Sequence, residues 1–295
     1  MSLLLSTEVA EALAQNRAVV ALESAVLTHG LPPEWGRQAV ERQFEACRAE
    51  SAVPALVAVQ DGRLRVGLTP QECESLMHAP AAKVSPWNLA AVLEDLGPGG
   101  TTVAATVRAA SLSGIRIVAT GGLGGVHPGE GQDVSADLNE LEHQPVCVVC
   151  SGPKSTLDAK ATLERLETAG VPVIGWRSDR LAGFLAHSSD LPLPAWVDDL
   201  TALASLLRRH WSLGGAGAVI SQALPVELAL EPETLAAAAE PAAREAAQPI
   251  ESGPGRTPAE LRRLQQRLGE RALRANLALL ERNARLAAGL ARALV

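Results

Sequence analysis

Four short stretches place reactive side chains where an α/β fold presents them, at the ends of apolar runs. The first is Val20-Ala-Leu-Glu23-Ser24, followed by Thr28-His29-Gly30. A carboxylate at the end of an apolar strand is partly desolvated, which raises its pKa toward the range of a general acid. A capping or surface glutamate fits the same pattern, and both readings stand. His29, beside Gly30, reads as a turn histidine ahead of a ligand. The second stretch is Ala119-Thr-Gly-Gly-Leu-Gly-Gly-Val-His127-Pro128-Gly129. Its glycines allow close backbone approach to a ligand, and their N–H groups can line an anion nest. It is not a dinucleotide fingerprint, because the third glycine is missing and Pro128 stands where a helix should begin.

The third stretch is Asp133-Val-Ser135-Ala136-Asp137. Its aspartates are four residues apart and share one helical face if a helix begins here. Two close carboxylates suit a hard divalent cation such as Mg²⁺ or Mn²⁺, or an acid/base pair. Capping of a helix by Asp133 or Ser135 is the plainer alternative. The fourth is Cys150-Ser-Gly-Pro-Lys154-Ser155. A lysine just past a buried strand and before a helix is expected to be desolvated and near the positive helix end. Both effects favour the free amine, a nucleophile toward carbonyls. A lysine that snorkels to solvent or binds an anion is the alternative. Lysine is scarce: Lys83, Lys154 and Lys160 are the three among 26 basic residues. Scarcity favours a functional reading of Lys154.

These stretches need elements to hold them. Apolar runs predict strands at Ala18–Ala21, Ala55–Val59, Ile115–Ala119, Val146–Cys150, Val171–Gly175 and Ala218–Ser221. Helical periodicity predicts helices at Thr7–Gln15, Glu34–Ala49, Pro70–Met77, Thr102–Ser111, Val134–His143 and Ser155–Thr168. This alternation predicts an α/β/α sandwich with a mainly parallel central sheet. An Ala/Glu-rich helix is expected over Glu231–Gln248. After a loop at Ser252–Arg256, a helix capped by Thr257 runs to Val295 with an interruption near Gly269. The 295 residues then read as a single domain, 1–295, with a helical C-terminal region from about 222 to 295.

Composition narrows the function. Asp and Glu total 33 against 26 basic residues, a net charge of −7, which argues against a broad nucleic-acid face. No long apolar run predicts a membrane span, and Leu3-Leu-Leu5 is too short for a signal sequence. Cys147 and Cys150 lie three apart in a predicted strand, on opposite faces, so buried thiols are expected ahead of redox chemistry. A cytoplasmic protein is expected.

Taken together, the motifs resemble the pseudouridine-5′-phosphate glycosidase family, also called indigoidine-synthase-A-like. The matching stretches are ALESAVLTHGLP (21–32), VGLTPQE (66–72), KVS (83–85), TTVAAT (101–106), ATGGLGGVH (119–127), DVSADLNEL (133–141), VVCSGPKSTLD (148–158), TLERLETAGVPVIGW (162–176) and ANLALLERNARLA (275–287). The resemblance implies an enzyme that cleaves the C–C glycosidic bond of pseudouridine 5′-phosphate, reversibly, to uracil and ribose 5-phosphate. One solution to that chemistry opens the ribose ring and exposes C1′ to a lysine amine. The iminium serves as electron sink while an acid protonates the departing uracil carbon.

By motif, the resemblance makes Lys154 the Schiff-base nucleophile and Glu23 the proton donor. Asp133 becomes the position of one Mn²⁺ per subunit, held largely through waters. Ser135, Ala136, Asp137, Lys83 and Val103 become substrate contacts, with His127 and Asn276 as further polar residues of the site. Lys160 matches no functional motif and reads as surface. The resemblance also implies a homotrimer. The chain departs from the family near the site. Where the family usually continues Ser-Arg-Arg-Asp-Leu after this lysine and valine, the chain has Ser85-Pro86-Trp87-Asn88-Leu89. The departure bears on phosphate affinity and substrate identity. It leaves two rival readings: a Schiff-base lyase on another phosphosugar or C-nucleoside, or a non-catalytic phosphosugar-binding relative.

Overall fold

The computed structural model describes residues 2–129, 133–246 and 256–295. In chain order its strands are β1 (Leu3–Leu5), β2 (Val19–Leu22), β3 (Val53–Gln60), β4 (Arg63–Val66), β5 (Ala82–Val84), β6 (Gly99–Thr101), β7 (Ile117–Ala119), β8 (Cys147–Cys150), β9 (Val173–Trp176), β10 (Arg180–Ala182), β11 (Ser188–Pro192), β12 (Ala195–Val197) and β13 (Ala218–Gln222). The helices are α1 (Thr7–Ala14), α2 (Pro33–Ala49), α3 (Pro70–His78), α4 (Leu89–Glu94), α5 (Val103–Ser113), α6 (Ala136–His143), α7 (Ala159–Thr168), α8 (Leu200–Ser212), α9 (Pro232–Ala246), α10 (Arg256–Leu268) and α11 (Glu270–Leu294), with a π-helical turn at Val26–Gly30.

Nine strands form the main path of the large sheet, in the order β1-β4-β3-β2-β7-β8-β13-β9-β12. From β3 to β12 every pairing is parallel. β4 and β6 pair antiparallel with β3, and β1 and β5 extend them in parallel. Parallel strands must be covered on both faces, and alternate residues of each strand serve the two sides. Val20, Leu22, Ile117, Cys147 and Val149 pack with α2, α8 and α11. Val19, Ala21, Val118, Val148 and Cys150 pack with α1, α5, α6 and α7. The α/β/α expectation holds. So does the split of the two cysteines: both are buried free thiols on opposite sides of the sheet, and burial pushes Cys150 up to about 12.

The chain leaves β2 toward β3 on one side and later returns through β7 on the other. The sheet order therefore reverses between β2 and β7, the place where open α/β sheets form a crevice at their strand ends.

Two expectations fail near this crevice. The helix predicted from Val134 begins at Ala136 with Ser135 as its cap, its Oγ accepting from Asp137 N at 3.2 Å. Val134 instead bridges Val126, so Asp133 lies outside the helix and does not share a helical face with Asp137. The local hydroxyl cap outcompetes one more helical turn. The helix predicted from Ser155 begins at Ala159, capped by Asp158, whose Oδ1 accepts from Ala161 N at 2.9 Å. Pro153 pairs with Leu123 and draws the intervening residues into a loop. Lys154 is therefore not at a helix N-terminus. The strands β10 and β11 form a separate antiparallel pair that no apolar run announced. In the C-terminal region α10 starts at Arg256, before the expected cap at Thr257, while the break at Gly269 stands as expected, with φ of 62°. The end of the helix expected to reach Gln248, and most of the loop before Arg256, lie outside the described residues. Among the described residues, no helix is long and apolar enough to cross a membrane.

Candidate active site

One cavity lies at the crevice between β2 and β7. Its wall includes Glu23, Lys83, Val103, Ser135, Asp137, Lys154 and Asn276, seven of the residues singled out in the sequence. His29, Thr120 and Phe184 join them. Ala136, His127 and Asp133 do not line it.

Glu23 follows the last residue of β2 and is 9% exposed. Its Oε2 accepts from Val26 N at 2.9 Å, and its Oε1 lies 3.5 Å from the donating Thr120 Oγ1. Burial raises its pKa, outweighing the Lys154 charge and the Val26 N–H, which act the other way. The next residue fixes the loop. Ser24 Oγ donates to Val57 O at 2.5 Å and accepts from Thr101 N at 2.9 Å. Thr101 Oγ1 donates to the same carbonyl at 2.7 Å. This buried knot ties the exits of β2 and β6 together, so Glu23 and Val103 are set by one network.

Lys83 is the middle residue of β5, opposite Gly100 of β6. A Cβ on Gly100 would run into Thr28, so glycine there lets the β5–β6 edge close on the π-helical turn. Burial first, and the Lys154 charge second, bring the Lys83 ammonium down to about 8. The segment after it departs from the family pattern but has its own logic. Asn88 Oδ1 accepts from Ser85 N at 2.8 Å, and Asn88 Nδ2 donates to Lys83 O at 3.1 Å. The asparagine closes a turn that holds the lysine's backbone, while Trp87 points to solvent, 72% exposed.

Lys154 is held by its main chain. Its N–H donates to Leu123 O at 3.0 Å, and its carbonyl accepts from Leu157 N at 2.9 Å. The loops after β7 and β8 are zipped together by Leu123 N to Gly152 O and Ser151 N to Gly121 O, both 2.9 Å. The glycines serve this closeness. A Cβ on Gly122 would meet Phe184 Cδ2 at 2.5 Å and Lys154 Cγ at 3.2 Å. The expectation of an anion nest meets a different use of these amides, because Gly124 N donates to Asp137 Oδ2 at 2.8 Å. The other oxygen of Asp137 accepts from Ala104 N at 2.8 Å, so this buried carboxylate bridges the start of α5 to the glycine loop.

Sequence reasoning missed Asn283. It is fully buried on α11, two turns beyond Asn276. Its Nδ2 reaches Thr120 O at 2.9 Å, Gly121 O at 3.3 Å and Ser151 Oγ at 3.1 Å. Its presence in the stretch 275–287 was visible, but its partners are distant in sequence. Replacing Asn283 by Ala strands buried carbonyls and leaves a void. The expected outcome is a loss of roughly 2 kcal/mol of stability, read as a lower calorimetric midpoint. An unchanged midpoint would show that the strap is dispensable.

His127 is buried with Nδ1 3.5 Å from Glu260 Oε1, so it links the glycine loop to α10. Asp133 is half-buried, and its carbonyl accepts from His127 N at 3.0 Å. Among the described residues no three His, Cys, Asp or Glu side chains gather into a metal cage. Both oxygens of Asp137 already serve backbone amides. Asp133, outside the cavity wall, offers a single carboxylate. Lys160 is exposed on α7.

Comparison with known proteins bears on what such a cavity does. The family model described as indigoidine synthase A like protein matches residues 8–293. A pseudouridine-5′-phosphate glycosidase of Thermus thermophilus is 48% identical over 93% of this chain and 97% of its own. One from Gemmatimonas aurantiaca is 43% identical over 98% of this chain and 95% of its own. Among solved structures, the prealnumycin C-glycosynthase AlnA in complex with ribulose 5-phosphate superposes with a TM-score of 0.89 at 34% identity, covering 99% of this chain and 96% of its own. An indigoidine synthase A-like protein of Thermotoga maritima has the same TM-score at 29% identity, over 98% of this chain and 95% of its own.

Proposed function

We propose, from the premise that this chain belongs to the indigoidine synthase A-like family, that it is an enzyme cleaving the C–C glycosidic bond of pseudouridine 5′-phosphate to uracil and ribose 5-phosphate. The observation that carries the reading is the meeting of Glu23, Lys83 and Lys154 in one cavity. An amine and a carboxyl of raised pKa are what this bond demands, because carbon is a poor leaving group until it is protonated.

In the proposed course, the Lys154 amine bonds to C1′ as C1′ loses its bond to the ring oxygen, and the proton that the amine gives up passes to that oxygen, which leaves as the O4′ hydroxyl. The nitrogen lone pair then forms C=N as the C1′–C5 bond breaks. Its electron pair goes to uracil C5, which takes the proton of Glu23. Water adds to the iminium and releases the open aldehyde of ribose 5-phosphate and the free amine. The reverse sequence makes the bond. Lys83, Val103, Ser135, Asp137 and Asn276 orient the sugar phosphate; Ala136 and His127 act from beside the wall. Ribulose 5-phosphate cannot close to a furanose, because its 5-oxygen carries the phosphate. A relative that takes this open-chain sugar supports ring-opened chemistry on the shared fold. The same reading assigns one Mn²⁺ per subunit to Asp133, which would hold it largely through waters, and the ion would supply positive charge to an anionic substrate. It takes the chain as one domain, assembled as a homotrimer in the cytoplasm.

The test is incubation with pseudouridine 5′-phosphate and Mn²⁺, with assay of uracil and ribose 5-phosphate. Equimolar release of both is expected. No turnover over a wide range of substrate concentration would overturn the assignment. The resemblance to a C-glycosynthase favours a second reading, a Schiff-base enzyme on another phosphosugar or C-nucleoside; turnover of such a compound in preference would select it. Ligand binding without cleavage would select the non-catalytic reading.

A further inference from the structure

Phe184 is buried and lines the cavity, and its backbone has φ of 60°, in the left-handed region. Glycine, asparagine and aspartate tolerate that region, whereas a bulky aromatic residue is an outlier there. Such outliers persist only where the surroundings over-determine them, and they gather at functional sites. Here the surroundings grip the turn on every side. Ala182 N donates to Ser221 Oγ at 2.9 Å, and Phe184 N donates to Ser151 O at 2.8 Å. Leu230 N donates to Leu185 O at 2.8 Å. A Cβ on Gly152 would collide with Ala182 O, so glycine there lets the turn after β10 lie directly on the loop after β8. The ring goes where this backbone sends it. A Cβ on Gly122 would meet Phe184 Cε2 at 2.6 Å as well as Lys154 Cγ, so the ring and the lysine stem converge over one glycine. A lysine side chain has more rotamer freedom to lose than almost any other, and the bonds that hold Lys154 are those of its main chain.

We propose that the Phe184 ring is the wall that orders the Lys154 stem and aims its amine into the cavity, and that the left-handed turn is retained because it delivers the ring there. Phe184 is then a positioning residue, acting through Lys154. The inference rests on the proposed role of Lys154 as nucleophile. Apolar contact suits the task, because close packing holds the methylenes and leaves the nitrogen lone pair for the sugar carbon.

The test compares the wild-type protein with Phe184→Ala, Phe184→Gly and Phe184→Leu. In Phe184→Ala, kcat for pseudouridine 5′-phosphate is expected to fall about 10²-fold, the scale of a misaimed group, with KM little changed. Phe184→Leu restores an apolar wall and recovers most of the rate. The adduct that borohydride traps from ribose 5-phosphate still maps to Lys154 in Phe184→Ala, but forms more slowly by a similar factor. The chain has only three lysines, so the geometry can be read by itself. In protein made with ¹³C-labelled lysine, the γ-methylene protons of Lys154 should be inequivalent and shifted by the ring. In Phe184→Ala they should collapse toward the positions of a free side chain. Phe184→Gly takes the left-handed turn without strain, so it should unfold at a higher temperature than Phe184→Ala. It carries the same comparisons if the alanine variant does not fold. A folded variant without the ring that keeps the wild-type kcat overturns the proposal. So does a rise in KM at constant kcat, which would make the ring a substrate contact. Lys154 signals that ignore the loss of the ring also overturn it. If the wild type cleaves nothing, the assigned reaction fails, and the lysine signals still decide this inference.

Discussion

Replacing Lys154 by Ala is expected to reduce turnover of pseudouridine 5′-phosphate by roughly 10⁴-fold or more, the scale on which loss of a covalent nucleophile is felt. The same substitution should abolish the adduct that borohydride traps from ribose 5-phosphate. Mass mapping of the trapped peptide makes the outcome decisive, because the cavity holds a second amine. Lys83 is half-buried there and brought down to about 8, so its free-amine form is accessible near neutral pH. Lys154 is favoured by placement. Its backbone is pinned on both sides between two zipped loops, and its charge acts directly on Glu23. A Lys154→Ala protein that still forms the adduct would move the nucleophile to Lys83 and overturn the assignment.

Glu23→Gln is expected to lower kcat by about 10²- to 10⁴-fold, the usual contribution of a positioned acid. It should also stabilise the fold at neutral and alkaline pH. Burial raises the Glu23 pKa above 4.5, so between that value and its raised value the folded chain holds a proton that the unfolded chain has lost. Stability therefore falls as pH rises through this window. Gln keeps the shape and the acceptor for Val26 N and removes this slope. For cleavage, kcat/KM should decline in the wild type as pH rises through the raised pKa, and Glu23→Gln should lack this limb. The measurements are chemical denaturation across pH and steady-state rates across pH. A variant that loses activity without losing the stability slope would show that another group carries the titration.

Much of the fold was legible because the central strands are short, uniformly apolar runs bounded by turn residues. β2, β3, β8 and β13 could be placed within a few residues from that pattern alone. Glu23 and Lys154 stood out because the first directly follows such a run and the second comes four residues after one. The parts that resisted are set by partners far away in sequence. β6 is Gly99-Gly100-Thr101, which carries no strand signal; it is a strand because β3 and β5 flank it. Asp133 and Asp137 have helical spacing, but the Ser135 cap and the Val126–Val134 bridge separate them. His29 read as a turn residue and is one, yet the π-helical turn carries it to the cavity wall. The glycines after β7 suggested ligand-facing amides. Their absent side chains serve chiefly to let Phe184, Leu279 and Ser135 approach.

The strap made by Asn283 bears on the order of events in folding. Its bond to Thr120 closes 163 residues of chain, and its bond to Ser151 closes 132. Closures of that length carry a large entropic cost and come after local structure has formed. The loops that carry Glu23 and Lys154 have ties of their own, and Asn283 adds one from near the far end of the chain. Alignment of a carbonyl-seeking amine therefore draws on α11 as well as on the sheet that carries it.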